Sequence, residues 1–342
     1  MNKKILAIFL ALLMVVVSGV AMAEPTQSQE EKSFNITKTY EATSGTKPAQ
    51  TFEFVVTNDE TQQKYPLTIS DGGKITFNAT EGEDTSKSVT VTVPNVGTNG
   101  YPATPGVTYN YVITEKTNNI QGIAEDTTQY NVKVTVFNEP DENGNPVYKT
   151  AIAVRKSGSN DKQSNDGITF SNPYSAGALT VTKKLAGNLA DMSDKFSIKV
   201  TFSPESGKSL TSTVSTSVTK ADESNTVSVS EVTKTTEGNY EFTISNIGHN
   251  DVVTFNNVPA GASWKVEETD SKDYTASYTQ QTGSIAALTT TNTSPNAAVV
   301  INTMTGQIDT GVTTDTMPYI LLMAIVAAAA VVFLMKKRTV NE

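Results

Sequence analysis

Phe34-Asn35-Ile36-Thr37-Lys38-Thr39-Tyr40 alternates in character residue by residue, and Leu179-Thr180-Val181-Thr182-Lys183-Lys184-Leu185 repeats the pattern in the second half of the chain. A period of two is that of a β-strand, whose side chains point alternately to opposite faces. Ile36 and Lys38 therefore share one face, as do Val181 and Lys183, and in a half-buried strand that face looks into the core. The succession of runs beyond each lysine is repeated as well. Phe52-Glu53-Phe54-Val55-Val56 begins 14 residues after Lys38, and Phe196-Ser197-Ile198-Lys199-Val200-Thr201-Phe202 begins 13 after Lys183. Farther on stand Tyr109-Asn110-Tyr111-Val112-Ile113-Thr114-Glu115 and Trp264-Lys265-Val266-Glu267-Glu268. Each half closes on a run that carries asparagine, Thr169-Phe170-Ser171-Asn172 and Val300-Ile301-Asn302. One order of features occurring twice predicts two tandem domains, 24–173 and 177–306, divided at Pro173 to Gly177.

The stretches between these runs agree with the same fold class. Val89-Thr90-Val91-Thr92-Val93 and Val132-Lys133-Val134-Thr135-Val136-Phe137 alternate too, and Asp71-Gly72-Gly73, Asn99-Gly100 and Asn143-Gly144 mark turns between them. Helical periodicity is nearly absent from 33 to 306. The expectation is an all-β protein of two immunoglobulin-like sandwiches built from antiparallel strands. Composition fits: 342 residues suffice for two medium domains, and 52 threonines favour strands and turns. Zero cysteine excludes disulfides, thiolate metal sites and a cysteine nucleophile. A single histidine, His249, argues against a His-based triad and a multi-histidine zinc site. No metal, no cofactor and no turnover enzyme are expected.

The alternation carries a chemical consequence. Tyr111, Ile113 and Glu115 share a face, as do Trp264, Val266 and Glu268, and Phe170 shares one with Asn172. Each half therefore directs a lysine, a glutamate and an asparagine inward, where unpaired polar groups are costly. Burial disfavours the charged form of each ionisable group, so a desolvated lysine loses its proton more readily and a desolvated glutamate keeps its own. Neutral amine and neutral acid are the states needed for attack on an asparagine amide. The acid can hydrogen-bond the amide oxygen and carry protons to the departing ammonia. The product is a Lys–Asn isopeptide bond, formed once per site. The predicted sets are Lys38, Glu115 and Asn172, then Lys183, Glu268 and Asn302, with Glu115 and Glu268 as the catalytic acids. Lys184 and Glu267 are the neighbours that a shift of one residue would select.

Both ends read as addresses. Residues 1–23 have a positive start at Lys3 and Lys4, an apolar run from Ile5 to Val17 and the small-x-small site Ala21-Met22-Ala23, which predicts a secretory signal peptide with Glu24 as first mature residue. Pro318 to Met335 is free of charge and precedes Lys336-Lys337-Arg338, which predicts a transmembrane helix over 318–335 with a cytoplasmic basic tail. Ahead of it stands Gln307-Ile308-Asp309-Thr310-Gly311. A Thr-Gly pair, a spacer, an apolar span and a basic tail over 307–342 resemble a Gram-positive cell-wall sorting signal. That resemblance implies a sortase that cleaves between Thr310 and Gly311 and passes the Thr310 carboxyl to an amine. Ile308 and Asp309 leave the pentapeptide without the proline usual in such signals.

Taken together, the duplicated Lys–Glu–Asn order and the two address signals resemble the isopeptide-bonded two-domain major pilins of streptococci over nearly the whole chain. Trp264 stands where that family usually has tyrosine, and Ile301-Asn302 lacks an aromatic before the asparagine. The resemblance implies the shaft subunit of a covalent surface pilus. Its partners would be identical pilin subunits, a sortase, and peptidoglycan or a basal pilin, with the membrane engaged through the C-terminal helix before sorting. It also implies an acceptor lysine late in the first domain; Lys162, within Ser157 to Gly167, is the candidate, followed by Lys156 and Lys149. Over 24–310 there are 21 basic and 33 acidic residues, and a net charge of −12 speaks against nucleic acid as a partner. The competing reading is a monomeric wall-anchored adhesin for a host or matrix ligand, but 287 mature residues leave no room for a further binding domain or a long stalk. An exported hydrolase built on Glu267 and Glu268 fares worse, because adjacent strand residues face opposite ways.

Overall fold

The computed structural model describes residues 32–57, 60–79, 84–160, 162–163, 167–308 and 319–327. They form a predominantly β protein of two compact units. Of the described residues, unit 1 holds those up to Asn119 and Ile123–Tyr174, and unit 2 holds Ile120–Gly122 and those from Ser175 onward. The signal peptide expected over 1–23, the Thr310–Gly311 pair and the basic tail lie outside the described residues. Of the span expected over 318–335, residues 319–327 are described and helical. Among the described residues, no helix is long and apolar enough to cross a membrane.

In unit 1 the strands are β1 (Ser33–Thr39), β2 (Gln50–Val56), β3 (Thr68–Ile69), β4 (Lys74–Phe77), β5 (Ser86–Thr92), β6 (Thr108–Glu115), β7 (Gln129–Pro140), β8 (Pro146–Lys156), β9 (Lys162–Gln163) and β10 (Ile168–Ser171). One sheet has the order β10-β1-β5-β3 and the other β4-β2-β6-β7-β8-β9. Unit 2 continues with β11 (Ala176–Ala186), β12 (Phe196–Ser203), β13 (Ser215–Thr219), β14 (Ser228–Val229), β15 (Thr233–Lys234), β16 (Tyr240–Ile247), β17 (Val252–Pro259), β18 (Ser263–Asp270), β19 (Thr275–Tyr278), β20 (Thr282–Ser284) and β21 (Asn296–Thr303). Its sheets run β13-β17-β11-β21-β19 and β14-β16-β12-β18-β20, with β15 alongside β16.

The strands form where the period-two runs stand. In β1, Phe34, Ile36 and Lys38 are buried while the intervening residues are half-exposed, and in β12 Phe196, Ile198, Val200 and Phe202 are buried in turn. The core of unit 2 draws on both of its sheets, with Leu179, Val181, Phe255 and Val300 from one and Phe202, Phe242, Trp264 and Val266 from the other. Phe202 and Phe255 meet at a ring separation of 5.5 Å in an edge-on contact. Unit 1 has an equivalent aromatic knot in which Tyr40, Phe52 and Phe77 pack edge to face at 5.0–5.9 Å.

Turn chemistry agrees with the sequence signals. Asp71, Gly72 and Gly73 all have positive φ, and a Cβ on Gly73 would stand 2.7 Å from the Phe54 carbonyl oxygen, so only glycine fits there. At the β7–β8 hairpin the Asp141 carboxylate accepts the backbone N–H groups of Asn143 and Asn145, each at 2.8 Å. Among the described residues of unit 1, a short helix, Glu60–Lys64, and a 3-10 turn, Ser70–Gly73, interrupt the strand pattern.

One expectation is corrected. The sheets are mixed rather than antiparallel, because β1 pairs parallel with β10 and β11 parallel with β21. Alternation along a strand fixes which residues face the core; it does not encode which strand lies beside it or in which direction. The parallel pairs are the ones that matter most here, since each joins the first strand of a unit to its last.

Candidate functional site

Each unit carries one buried site, and the two are built by the same register. In unit 1, Lys38 of β1 lies opposite Phe170 of β10, and Asn172 is two residues beyond that partner. In unit 2, Lys183 of β11 lies opposite Val300 of β21, and Asn302 is again two residues beyond. An offset of two keeps lysine and asparagine on one face, at a diagonal spacing that a long side chain can span. The other sheet of each unit contributes the acid. Glu115 of β6 lies opposite Phe54, two residues past Phe52, and Glu268 of β18 lies opposite Ile198, two residues past Phe196. The same offset therefore pairs each glutamate with a phenylalanine.

Burial is complete. Lys38, Asn172, Lys183 and Asn302 are each at 0% exposure, and the side chains of Glu115 and Glu268 are at 1%. Lys38 Nζ stands 3.1 Å from Glu115 Oε2 and donates a hydrogen bond to Asn172 Oδ1. Lys183 Nζ stands 3.1 Å from Glu268 Oε1, and Asn302 Nδ2 donates to that same oxygen at 3.1 Å. Glu268 Oε2 and Asn302 Oδ1 are buried with no hydrogen-bond partner among the described residues. Phe52 and Phe196 lie over the two amines, 4.3 and 4.4 Å from ring centre to nitrogen.

These surroundings set the proton positions. Burial pushes the Lys38 and Lys183 amines below the ordinary lysine range, against the opposing pull of Glu115 and Glu268. Burial likewise raises the Glu115 carboxyl to about 6, although Lys38 and Asn172 act in the other direction. In unit 1 the amine and the acid are thus both moved toward their neutral forms. A neutral amine can attack the asparagine amide carbon, and a protonated carboxyl can hydrogen-bond its oxygen. The Glu268–Asn302 contact runs to the amide nitrogen, the atom that such an attack would release as ammonia.

The sequence-predicted residues therefore meet in two sets, Lys38–Glu115–Asn172 and Lys183–Glu268–Asn302. The neighbours Lys184 and Glu267 face elsewhere: Lys184 is exposed, and Glu267 pairs with Lys265 at 2.6 Å on the outer surface. Tyr111 and Trp264 are buried, but the Tyr111 hydroxyl is engaged with the Tyr101 hydroxyl at 2.6 Å and the Tyr65 carbonyl at 2.8 Å. The rings that lie over the amines are those of Phe52 and Phe196. The signal for them was their spacing of 14 and 13 residues from the lysines. A third buried lysine, Lys47, was missed; it donates to the carbonyls of Tyr40 at 2.6 Å and Asp84 at 2.5 Å. His249 accepts the Leu185 N–H at Nδ1, which places it in backbone support.

Of the candidate acceptor lysines, Lys162 opens the edge strand β9 opposite Arg155, Lys156 is exposed at the end of β8, and Lys149 is paired with Glu139 at 2.8 Å.

Residues 34–175 match the family described as Spy0128-like isopeptide containing domain, and residues 177–304 match one described as a domain of unknown function, DUF7601. A pilin of Streptococcus pyogenes serotype M1 is 30% identical over 246 residues, covering 68% of each chain. The crystal structure of the major pilin from Streptococcus pyogenes aligns with a TM-score of 0.46 at 22% identity, over 81% of this chain and 100% of that one. The major pilin protein T-13 from the same species aligns with a TM-score of 0.44 at 17% identity, over 80% and 98%.

Proposed function

The chain belongs to the pilin family, and from that premise we propose that it is the shaft subunit of a sortase-assembled surface pilus whose two immunoglobulin-like domains each close an internal Lys–Asn isopeptide bond. The observation that carries this reading is the duplicated Lys–Glu–Asn set, buried twice, with the same two-residue Lys–Asn offset on the parallel first and last strands of each unit. Two buried amines beside two buried carboxyls would be an expensive way to stabilise a core, because removing such ions from water costs several kcal/mol each. As reactants they have a purpose.

The step balances without a co-reactant. Lys38 Nζ attacks Asn172 Cγ, Glu115 hydrogen-bonds the carbonyl oxygen as charge develops, and the amine proton passes through the carboxyl to Nδ2. The C–Nδ2 bond breaks, the Nζ–Cγ bond remains and one ammonia leaves. Lys183, Glu268 and Asn302 do the same in the second domain. Glu115 and Glu268 end as they began, so each domain is its own single-use substrate rather than a turnover enzyme. The closed loops contain 135 and 120 residues. By analogy with disulfides, loops of that size restrict the unfolded chain by roughly 4–5 kcal/mol. Under tension the effect is larger, since force entering a domain at its first strand leaves from its last through a covalent bond.

Assembly would use the ends. The mature subunit, 24–310, would be exported, held by the 318–335 helix and released when a sortase attacks between Thr310 and Gly311. The Thr310 carboxyl would pass to a lysine of the next identical subunit, with Lys162 the first candidate, and finally to peptidoglycan or a basal pilin. Intact-mass measurement of recombinant residues 24–310 tests the chemistry. The expected result is a deficit of two ammonia, reduced to one by Glu115→Ala or by Glu268→Ala. A full calculated mass for the parent protein overturns the reading. Wall extracts should give a ladder of high-mass species that survives boiling in detergent; a single monomeric band would favour the adhesin instead.

A further inference from the structure

The two asparagine strands are braced differently. In unit 2, β21 has β11 on one side and β19 on the other, so its outward backbone groups are met by a strand. In unit 1, β10 pairs with β1 and has no second strand beside it among the described residues. Its alternate residues, Thr169 and Ser171, turn their N–H groups away from β1, and an edge of this kind must be satisfied or covered. Side chains do this. The Tyr130 hydroxyl donates to the Thr169 carbonyl at 2.8 Å and accepts the Thr169 N–H at 3.3 Å. Asp126 Oδ2 accepts the Ser171 N–H at 2.7 Å, while Asp126 Oδ1 is itself fixed by the Thr128 N–H at 2.9 Å.

Ser171 directly precedes Asn172. On the inner side the Asn172 N–H bonds the Thr39 carbonyl at 3.1 Å, and its side chain accepts from Lys38. The two successive peptides that lead into Asn172 are thus each held, the first at the Ser171 N–H by Asp126 and the second at the Asn172 N–H by Thr39. The side chain whose amide carbon Lys38 would attack hangs from the Cα that follows them. A misplacement of about 1 Å at such a centre costs on the order of 100-fold in rate.

We propose that Asp126 is a positioning residue for isopeptide formation in unit 1. Its carboxylate holds the Ser171 N–H and thereby sets the backbone from which Asn172 meets Lys38; in unit 2 the strand β19 performs that task. This rests on the isopeptide reading above and adds a residue to it. Burial works to raise the Asp126 carboxyl, but the Thr128 and Ser171 hydrogen bonds outweigh it and keep the group below the ordinary aspartate range, ionised and ready to accept.

The test tracks both linkages in the full chain made by cell-free synthesis, sampled over time by intact mass and by the linked fragments that contain 38 with 172 or 183 with 302. Unit 2 serves as the clock within each molecule. Asp126→Ala is expected to slow the loss of unit 1 ammonia at least tenfold and to leave unit 2 unchanged. Asp126→Asn, which keeps an oxygen for the Ser171 N–H, is expected to recover most of the rate. A parental rate in Asp126→Ala overturns the proposal. So does Asp126→Asn as slow as Asp126→Ala, because charge and not the hydrogen bond would then be at work. Should Asp126→Ala fail to fold, Asp126→Glu decides: it displaces the carboxylate by one methylene, slowing is expected, and a parental rate overturns the proposal. A parent chain that loses no ammonia from either unit fails the underlying reading; a failed positioning role leaves both losses intact in every variant.

Discussion

Unit 1 and unit 2 place lysine, glutamate, asparagine and phenylalanine in the same register, yet they surround the set differently. Lys38 donates to the amide oxygen of Asn172, whereas in unit 2 it is the amide nitrogen of Asn302 that is bonded, to Glu268. Among the described residues, the asparagine strand is an edge in one unit and is flanked on both sides in the other. What the two share is narrower: a parallel first and last strand, an asparagine two residues beyond the lysine's partner, and an acid from the facing sheet. Those common features are what the proposed linkage would require, and the rest of each unit differs around them.

The largest way to break this equivalence is mechanical. Stretched between its termini, the linked parent should not lengthen at either unit. Releasing unit 1 by Glu115→Ala should add roughly 450 Å of extended chain, and Glu268→Ala roughly 400 Å, because the freed loops hold 135 and 120 residues. Single-molecule force spectroscopy reads both lengths, and equal extension in parent and variants would remove the mechanical role.

A smaller effect concerns pH. Before linkage, burial raises the Glu115 carboxyl to about 6 from an ordinary 4.5, and an Asn172→Ala chain, which cannot link, keeps that burial. The folded state then binds more protons than the unfolded chain between these values. Glu115 accordingly contributes stability that is fully present below 4.5 and is lost as pH rises through about 6, worth at most ~2 kcal/mol. Urea midpoints measured from pH 4 to 7.5 should fall across that window; a flat or rising profile contradicts the neutral-acid account.

The least change is expected from Lys47→Met. Lys47 is 3% exposed, and burial lowers its amine below the ordinary lysine range, but the hydrogen bonds it makes are to the Tyr40 and Asp84 carbonyls. Both ammonia losses should persist in the variant, with unit 1 weakened by about 1–3 kcal/mol from the two carbonyls left without their donor. Loss of one linkage would mean that burial of a lysine, and not its glutamate and asparagine, selects the reactive amine.

Lys47 also marks where the sequence stops being legible. It sits in Glu41 to Ala49, a stretch with no period, and one of its carbonyl partners belongs to Asp84, 37 residues away. Nothing local announces such a contact. Lys38 and Lys183 were legible because each interrupts an apolar face at a fixed parity, and Glu115, Glu268, Asn172 and Asn302 because they share that parity with aromatic or branched neighbours. Asp126 falls in Glu125-Asp126-Thr127-Thr128, which reads as an ordinary polar turn. Its importance lies in β10 being an edge, a property of the assembled sheet.

By itself the sequence determined which side chains face inward and that the arrangement occurs twice, because a strand's period is a local consequence of backbone geometry. The tertiary structure decided the neighbours. It set β1 beside β10 and β11 beside β21 in parallel, laid Phe52 and Phe196 over the amines and left β10 to be held by Asp126 and Tyr130. Pairing and direction come from how two sheets close over a shared core, and no alternation pattern along one strand contains that information.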